Sequence, residues 1–348
     1  MTPAHGAPPR SRGAFTLIEL LVSLAVLTLL VLLSFRVTDQ VTEIWQRTSA
    51  SIGQWQKTRT AFDSLTRRLS LATLDPTWAY FDASGALTDT DPVRYGRHSQ
   101  LHFVTGPASS FFPPEALITT QALFFQAPLG RTQNADLSGL PHLLSSCGFF
   151  IQYGSDAAFR PPGVLFENHE AKWRFRLMEF IEPSERLQVY QQKGAEDYDW
   201  FRRPVTRGFA RPLAENVIAL FVIPRLSSLD LPPLSDETPL PYGYNSRKDE
   251  TSPVSGASLH QLPPLVQVTL VALSDHAARR LAETPASDEP GRFAAIQALL
   301  FADAPFASVA HYEHDLQKLE ENLIRARLDY KVYSGIIALR GAKWNQNP

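Results

Sequence analysis

Gly13-Ala14-Phe15-Thr16-Leu17-Ile18-Glu19-Leu20-Leu21-Val22-Ser23-Leu24 is the stretch on which the reading of this chain turns. It opens an apolar run of 22 residues, Ala14 to Phe35, interrupted by one charge, Glu19. Leu and Val dominate the run, and it holds neither Pro nor Gly. As a helix it is long enough to cross a hydrocarbon core of roughly 30 Å. A helix also satisfies its own backbone hydrogen bonds in lipid. Arg10 and Arg12 stand before the run and Arg36 closes it. Basic residues on the short N-terminal side predict an N-in, C-out orientation.

Glu19 is the anomaly. A carboxylate inside a membrane helix costs roughly 2.5–3.5 kcal/mol on insertion scales, and a simple anchor gains nothing from it. The charge calls for a partner, and a free amine at the start of the helix would serve. A cut just before Phe15 would leave an ammonium four residues from Glu19, able to pair with the Glu19 of a neighbouring helix. An ordinary secretory signal would put a small-residue cleavage site after the run, and Ser34-Phe35-Arg36 is a poor one. A plain uncleaved anchor accounts for the span and leaves Glu19 unexplained.

The string Gly13 to Val22 resembles the prepilin signal of type IV pilins and type II secretion pseudopilins. In that family a membrane prepilin peptidase removes the basic leader on the cytoplasmic side and N-methylates the new first residue, usually Phe. The resemblance implies cleavage between Ala14 and Phe15, methylation of Phe15, and a subunit-assembly role for Glu19. It also implies partners: the peptidase, other pilin-like subunits met through the N-terminal helix, and the inner membrane. The family usually has Gly directly before the cut, where this chain has Ala14. The alternative cut, after Gly13, stays open at this point.

The chain has 348 residues, 44% apolar and 20% charged, with a formal net charge of -2. That composition suits a folded chain with a sizeable core rather than a disordered one. The near-neutral balance argues against a nucleic-acid partner, which would call for a large basic footprint. Cys147 is the single cysteine, so no intrachain disulfide forms. Beside Gly148-Phe149-Phe150-Ile151 it reads as a small buried apolar residue.

Residues 1–14 form the leader and 15–35 the transmembrane segment, with 36–75 an amphipathic continuation of the same helix. Val37, Val41, Ile44, Thr48, Ile52, Trp55, Phe62, Leu65 and Leu69 recur mostly at three and four spacing. Trp45 and Trp55 are expected in the core. Asp75-Pro76 ends the helix, which would then run over residues 15–74 for about 90 Å.

Residues 76–348 are expected to form the soluble domain. Strands are expected at 101–105, 122–127, 149–153 and 173–180, each bounded by turn or breaker residues. Residues 216–223 read as a central strand closed by Pro224, and 265–273 as another. Leu226 to Pro264 reads as a long polar loop. Ser274-Asp275 is placed to cap a helix through Ala282. A second helix is expected over 306–326, then strands at 328–333 and 336–339. Strands come in groups without regular helix alternation. The fold class is therefore α+β, a long N-terminal helix packed on a mostly antiparallel, pilin-like domain.

Ser99 to Val104, Phe124 to Gly130 and Ala338 to Trp344 resemble the Verru_Chthon cassette protein C group of prepilin-like proteins. The overall plan resembles, more loosely, the J subunit of type II secretion, the minor pseudopilin with the largest domain. The prepilin resemblance implies a non-enzymatic minor subunit with a periplasmic soluble domain, and the size of that domain suggests action at a filament tip or in initiation, because wide heads pack badly in a long thin array. A minor type IV pilin for adhesion or DNA uptake is a neighbouring reading.

Motifs of chemistry are sparse. The phosphate loop G-x-x-x-x-G-K-[ST], G-x-G-x-x-G and G-x-S-x-G are all absent. His169-Glu170 begins like a zincin helix but lacks the second His. His311 and His314, beside Glu313 and Asp315, could share a helix face and hold a metal, though a solvated charged face is commoner. The same comparison applies to His98 and His102. Glu196, Asp197 and Asp199 match no defined calcium loop. No cofactor, metal or catalytic set is therefore expected. The competing class is a membrane-tethered periplasmic enzyme or binding module, which calls for a pocket with convergent polar groups.

Overall fold

The computed structural model describes residues 17–160, 171–191, 194, 196–225, 242–248, 259–306 and 309–342, the side chains at 43, 44 and 46–51 excepted. The leader with Ala14 and Phe15, the His169-Glu170 pair and much of the 226–264 loop lie outside these residues. The chain divides into two units, Met1–Ile52 and Gly53–Pro348.

The first element is one continuous helix, α1 (Leu17–Leu69). In the N-terminal unit its described apolar side chains are exposed. Val37, Val41 and Ile52 are each more than half exposed, and Trp45 is 70% exposed. The core position expected for Trp45 is thus corrected: nothing described in its unit covers it. From Gly53 onward the same stripe is buried, with Ala61, Phe62, Leu65 and Leu69 in the core and Trp55 packed against it. The helix stops at Leu69 rather than at residue 74. Leu71 and Ala72 donate to Arg68 and Leu69, tightening the last turn, and Thr73 N–H then bonds Gln126 O on a strand. Ladder capture ends the helix before Asp75-Pro76 is reached.

The C-terminal unit is built from antiparallel strands: β1 (Thr77–Phe81), β2 (Arg94–His98), β3 (Val104–Pro107), β4 (Ile118–Pro128), β5 (Leu144–Ser155), β6 (Trp173–Glu182), β7 (Ala210–Glu215), β8 (Val217–Arg225), β9 (Tyr244–Asn245), β10 (Leu265–Leu273) and β11 (Tyr330–Ala338). β1 and β2 form a ribbon. A six-stranded sheet runs β7-β6-β5-β4-β3-β9 and a three-stranded sheet β11-β10-β8. Every named pairing is antiparallel. Among the described residues four further α-helices accompany them: α2 (Asp199–Thr206), α3 (Asp275–Ala282), α4 (Glu289–Phe301) and α5 (Tyr312–Arg325). The α+β class and the antiparallel sheet agree with the sequence.

The differences have physical causes. The strand expected at 101–105 begins only at Val104, because side chains take the earlier amides: His102 N–H donates to Gln126 Oε1 and Phe103 N–H to Ser246 Oγ. Pro224 does not close β8, which continues to Arg225. The N–H groups of Leu220 and Val222 point away from β10, to Thr120 Oγ1 and Gln121 Oε1. By alternation the missing Pro224 N–H falls on that same outer side, where the ladder to β10 does not need it. The 226–264 stretch is not loop throughout, since β9 lies inside it and Tyr244 Oη donates to Gln261 O. The two C-terminal strands are one, β11. The helix expected over 306–326 is narrower, with Asp315 Oδ2 accepting from Phe306 N–H ahead of it. Ser274 caps α3 as expected, accepting from Ala277 N–H. Helices α2 and α4 were not expected. α2 carries Pro204, and α4 opens at Glu289-Pro290-Gly291, where Asp288 caps through Gly291 N–H.

The six-stranded sheet packs a cluster of aromatic rings, among them Phe124 stacked on Phe201 at 3.8 Å between centroids. Gly148 makes that stack possible, because a Cβ there would lie 2.1 Å from Phe124 Cδ1. Substitution Gly148→Ala is expected to lower stability by about 1–3 kcal/mol, the usual cost of overpacking. Chemical denaturation of the detergent-solubilised chain, followed by Trp fluorescence, measures it; an unchanged midpoint would contradict this packing.

Candidate functional site

Leu17–Thr42 has the length and apolar composition to cross a membrane, with a mean hydropathy of 2.6. Its polar side chains are arranged to suit that setting. Ser23 Oγ donates to the Glu19 carbonyl at 2.6 Å, and Thr28 donates to the Leu24 carbonyl. Ser34, Thr38 and Thr42 donate to Leu30, Ser34 and Thr38, each at 2.8 Å. Each hydroxyl is satisfied one turn back within its own helix, so none needs water. Glu19 stands in the first described turn. Between Leu17 and Phe35 it is the single ionisable side chain.

The other candidates resolve differently. His102 is wholly buried. Its Nδ1 accepts from Trp200 Nε1–H at 3.2 Å, so Nε2 carries the proton and donates to Asn245 Oδ1 at 2.9 Å. Burial first, then the nearby Arg247 charge, pushes its pKa down to about 3. This is a structural hub with both ring nitrogens occupied, not a ligand site. His98 lies edge-on to His260, 5.0 Å between centroids. His260 is held neutral as well, lowered to about 4 by burial and by the His98, Arg247 and Arg94 charges. The hub was invisible in sequence because Trp200 and Asn245 lie 98 and 143 positions from His102.

His314 stands on α5, with His311 one residue before it, and Asp315 is turned inward to Phe306 N–H. Glu196 pairs with Lys248 at 3.2 Å, and Asp199 with Arg203 at 2.6 Å. The acidic loop is thus tied to bases. No group of three or more His, Cys, Asp or Glu able to hold a metal occurs among the described residues. Cys147 is fully buried, which pushes its thiol up to about 12. A cleft of about 430 Å³ is lined by Glu182, Arg186, Arg203, Arg207 and Phe209 among others. Burial raises the Glu182 carboxyl to about 7. Arg203 is engaged by Asp199, Arg186 lies over the Phe209 ring, and Glu185 is bonded to Thr132. No nucleophile and base converge there among the described residues.

The family model described as "Prokaryotic N-terminal methylation motif" matches residues 9–35, the stretch that includes Glu19. The match supports a prepilin-like protein. No curated protein and no solved structure matches the chain. The motif implies processing by a prepilin peptidase and assembly with other pilin subunits. Together with the apolar helix it points to a single-pass membrane anchor and to a structural, pilin-type protein.

The histidines set an acid limit on the soluble unit. In the unfolded chain His102 takes up its proton near pH 6.5, whereas in the folded chain it does so only near pH 3. Its contribution is full above about pH 6.5 and is lost as pH falls towards 3, amounting to about 2 kcal/mol by pH 5. Denaturation midpoints taken between pH 7.5 and 5 should fall more for the native chain than for His102→Gln, which is neutral throughout. Equal slopes would refute the assignment.

Proposed function

We propose that the chain is a minor, non-enzymatic pseudopilin-like subunit of a filament of the type II secretion or type IV pilus kind. The observation carrying this reading is the methylation motif at residues 9–35 with an acid, Glu19, inside an apolar helix. In this reading residues 1–14 are a cytoplasmic leader, 15–35 the transmembrane segment, 36–75 its continuation and 76–348 a periplasmic domain. The peptidase cuts between Ala14 and Phe15 and methylates the Phe15 amine. That ammonium meets the Glu19 carboxylate of a neighbouring subunit and sets the axial register between helices. Pairing removes the cost of the charge in lipid, which neither a plain anchor nor a secretory signal offsets.

A large soluble unit supports a place at the tip or in initiation, because wide heads pack poorly in a long thin array. The exposed stripe of Val37, Val41, Trp45 and Ile52 suits contact with neighbouring helices, where packing and polar contacts drive association. The Pro/Ser-rich 226–264 loop receives no role in this reading.

Two measurements test it. Mass spectrometry of the mature protein should find N-methyl-Phe at residue 15; a chain keeping its first fourteen residues in cells with an active peptidase would sink the proposal. Glu19→Ala should leave membrane insertion intact and reduce incorporation into filaments or tip complexes at least tenfold. Normal incorporation would remove the pairing from the reading.

A further inference from the structure

The cleft of about 430 Å³ opens between the end of β6, the stretch that follows it and the C-terminal end of α2. Phe180 and Glu182 lie two residues apart on β6, so their side chains share one face of the sheet. That face is the one α2 covers: Phe180 meets Phe124 edge-on, and Phe124 stacks on Phe201 of α2. Glu182 therefore points from the sheet into the cleft and forms its floor. It is 5% exposed. The Gln188 backbone amide bonds the carboxyl, yet Oε2 is buried without a hydrogen-bond partner among the described residues.

The same lack continues across the strands. Glu182 faces Ser146, and Ser146 faces Gln126. Directly opposed residues carry their side chains on one side of the sheet, and Ser146 Oγ and Gln126 Nε2 are likewise buried and unpartnered. Each buried polar group left alone costs about 1–3 kcal/mol, more for a charge. Water can serve a hydroxyl or an amide, whereas a buried carboxylate calls for a cation. The mouth of the cleft carries the opposite charge, from Arg186, Arg203 and Arg207. Asp199 neutralises Arg203, and Glu185 is engaged by Thr132 Oγ1 and the Gln133 amide. Arg186 lies over the Phe209 ring. Neither its guanidinium nor that of Arg207 has an ion pair or hydrogen bond among the described residues. The Arg186 charge only partly offsets the burial of Glu182.

We propose that this cleft binds a small zwitterion, its ammonium on Glu182 Oε2 and its carboxylate on Arg186 and Arg207. The charge pattern selects that class. A divalent cation would have to pass the guanidiniums to reach a single carboxylate, a thin donor set for a hard metal. A simple anion would satisfy the mouth and leave Glu182 unpaired. A simple amine would satisfy the floor and gain nothing from the arginines. A molecule carrying both charges meets both ends, and guanidiniums grip a carboxylate with paired N–H donors. Phe180 and Phe209 supply apolar wall for the carbons between the charges. The volume is within the range of small-molecule sites. Binding here needs neither leader removal nor Glu19, so it stands or falls separately from the filament reading.

Titration calorimetry of the full-length chain in detergent tests it, at pH 8, above the value of about 7 at which Glu182 ionises. The probes are glycine, γ-aminobutyrate and ε-aminocaproate, which hold the two charges at increasing separation. Butyrate and butylamine are the single-charge controls. At least one zwitterion should bind with a Kd of about 1 mM or tighter, and both controls at least tenfold more weakly. Glu182→Gln keeps the shape of the floor and removes its charge. Arg207→Met removes a mouth charge from an exposed side chain and leaves the core untouched. Each should weaken the best zwitterion at least tenfold, with the denaturation midpoint of Arg207→Met unchanged. No binding by any of the three zwitterions, or a control that binds as tightly as the best of them, would overturn the proposal. So would full affinity in either variant.

Discussion

Two side chains of β4 stand where a further strand would otherwise pair with β8. Thr120 Oγ1 accepts from Leu220 N–H at 3.1 Å and Gln121 Oε1 from Val222 N–H at 2.5 Å. The two larger sheets are joined there by side-chain-to-backbone bonds rather than by a shared ladder. The joint depends on an irregularity in β4. Register against β5 shifts between Thr119 and Ala122, and Thr120 sits at φ +58°. The bulge leaves Thr120 and Gln121 without a partner on β5 and frees both for β8. A buried N–H left unbonded costs about 1–3 kcal/mol, so these two residues secure the edge of a strand whose side chains are apolar from Val217 to Pro224.

The His102 hub does comparable work on the other flank of the six-stranded sheet. Trp200 belongs to α2 and Asn245 to β9, so one imidazole ties a helix, an edge strand and the lead-in to β3. Asn245 Oδ1 also receives the Arg247 amide, and Arg247 reaches the carbonyls of Gln100 and Val189. Because the ring is buried and both nitrogens are occupied, its neutrality is part of the fold.

Much of the architecture is legible in the chain itself. The apolar run from Ala14 to Phe35, broken only by Glu19, announces the helix described from Leu17 onward, and the apolar runs at 216–223 and 265–273 announce β8 and β10. Ser274 announces the start of α3. What escapes the sequence is whatever depends on partners far along the chain. Leu101 to Phe103 looks like strand until Gln126 and Ser246 supply acceptors for its amides. Pro224 looks like a terminator until the outer side of β8 is known to be closed by β4. Trp45 looks like core, yet no described residue of its unit covers it. At the candidate site, Glu19 is conspicuous because it is the one ionisable residue in the apolar stretch Leu17–Phe35. The His102 contacts give no local sign at all.

The hydroxyls of Ser23, Thr28 and Ser34 are each spent on their own helix. A neighbouring rod lying against Leu17–Phe35 would therefore meet a surface with no hydroxyl proton left to offer. Such a surface is smooth in the direction of its axis: a neighbour could glide along it one turn at a time without breaking a directional bond. Only an ionic detent can set a stopping point on a track of that kind, and the segment carries one group able to act as it.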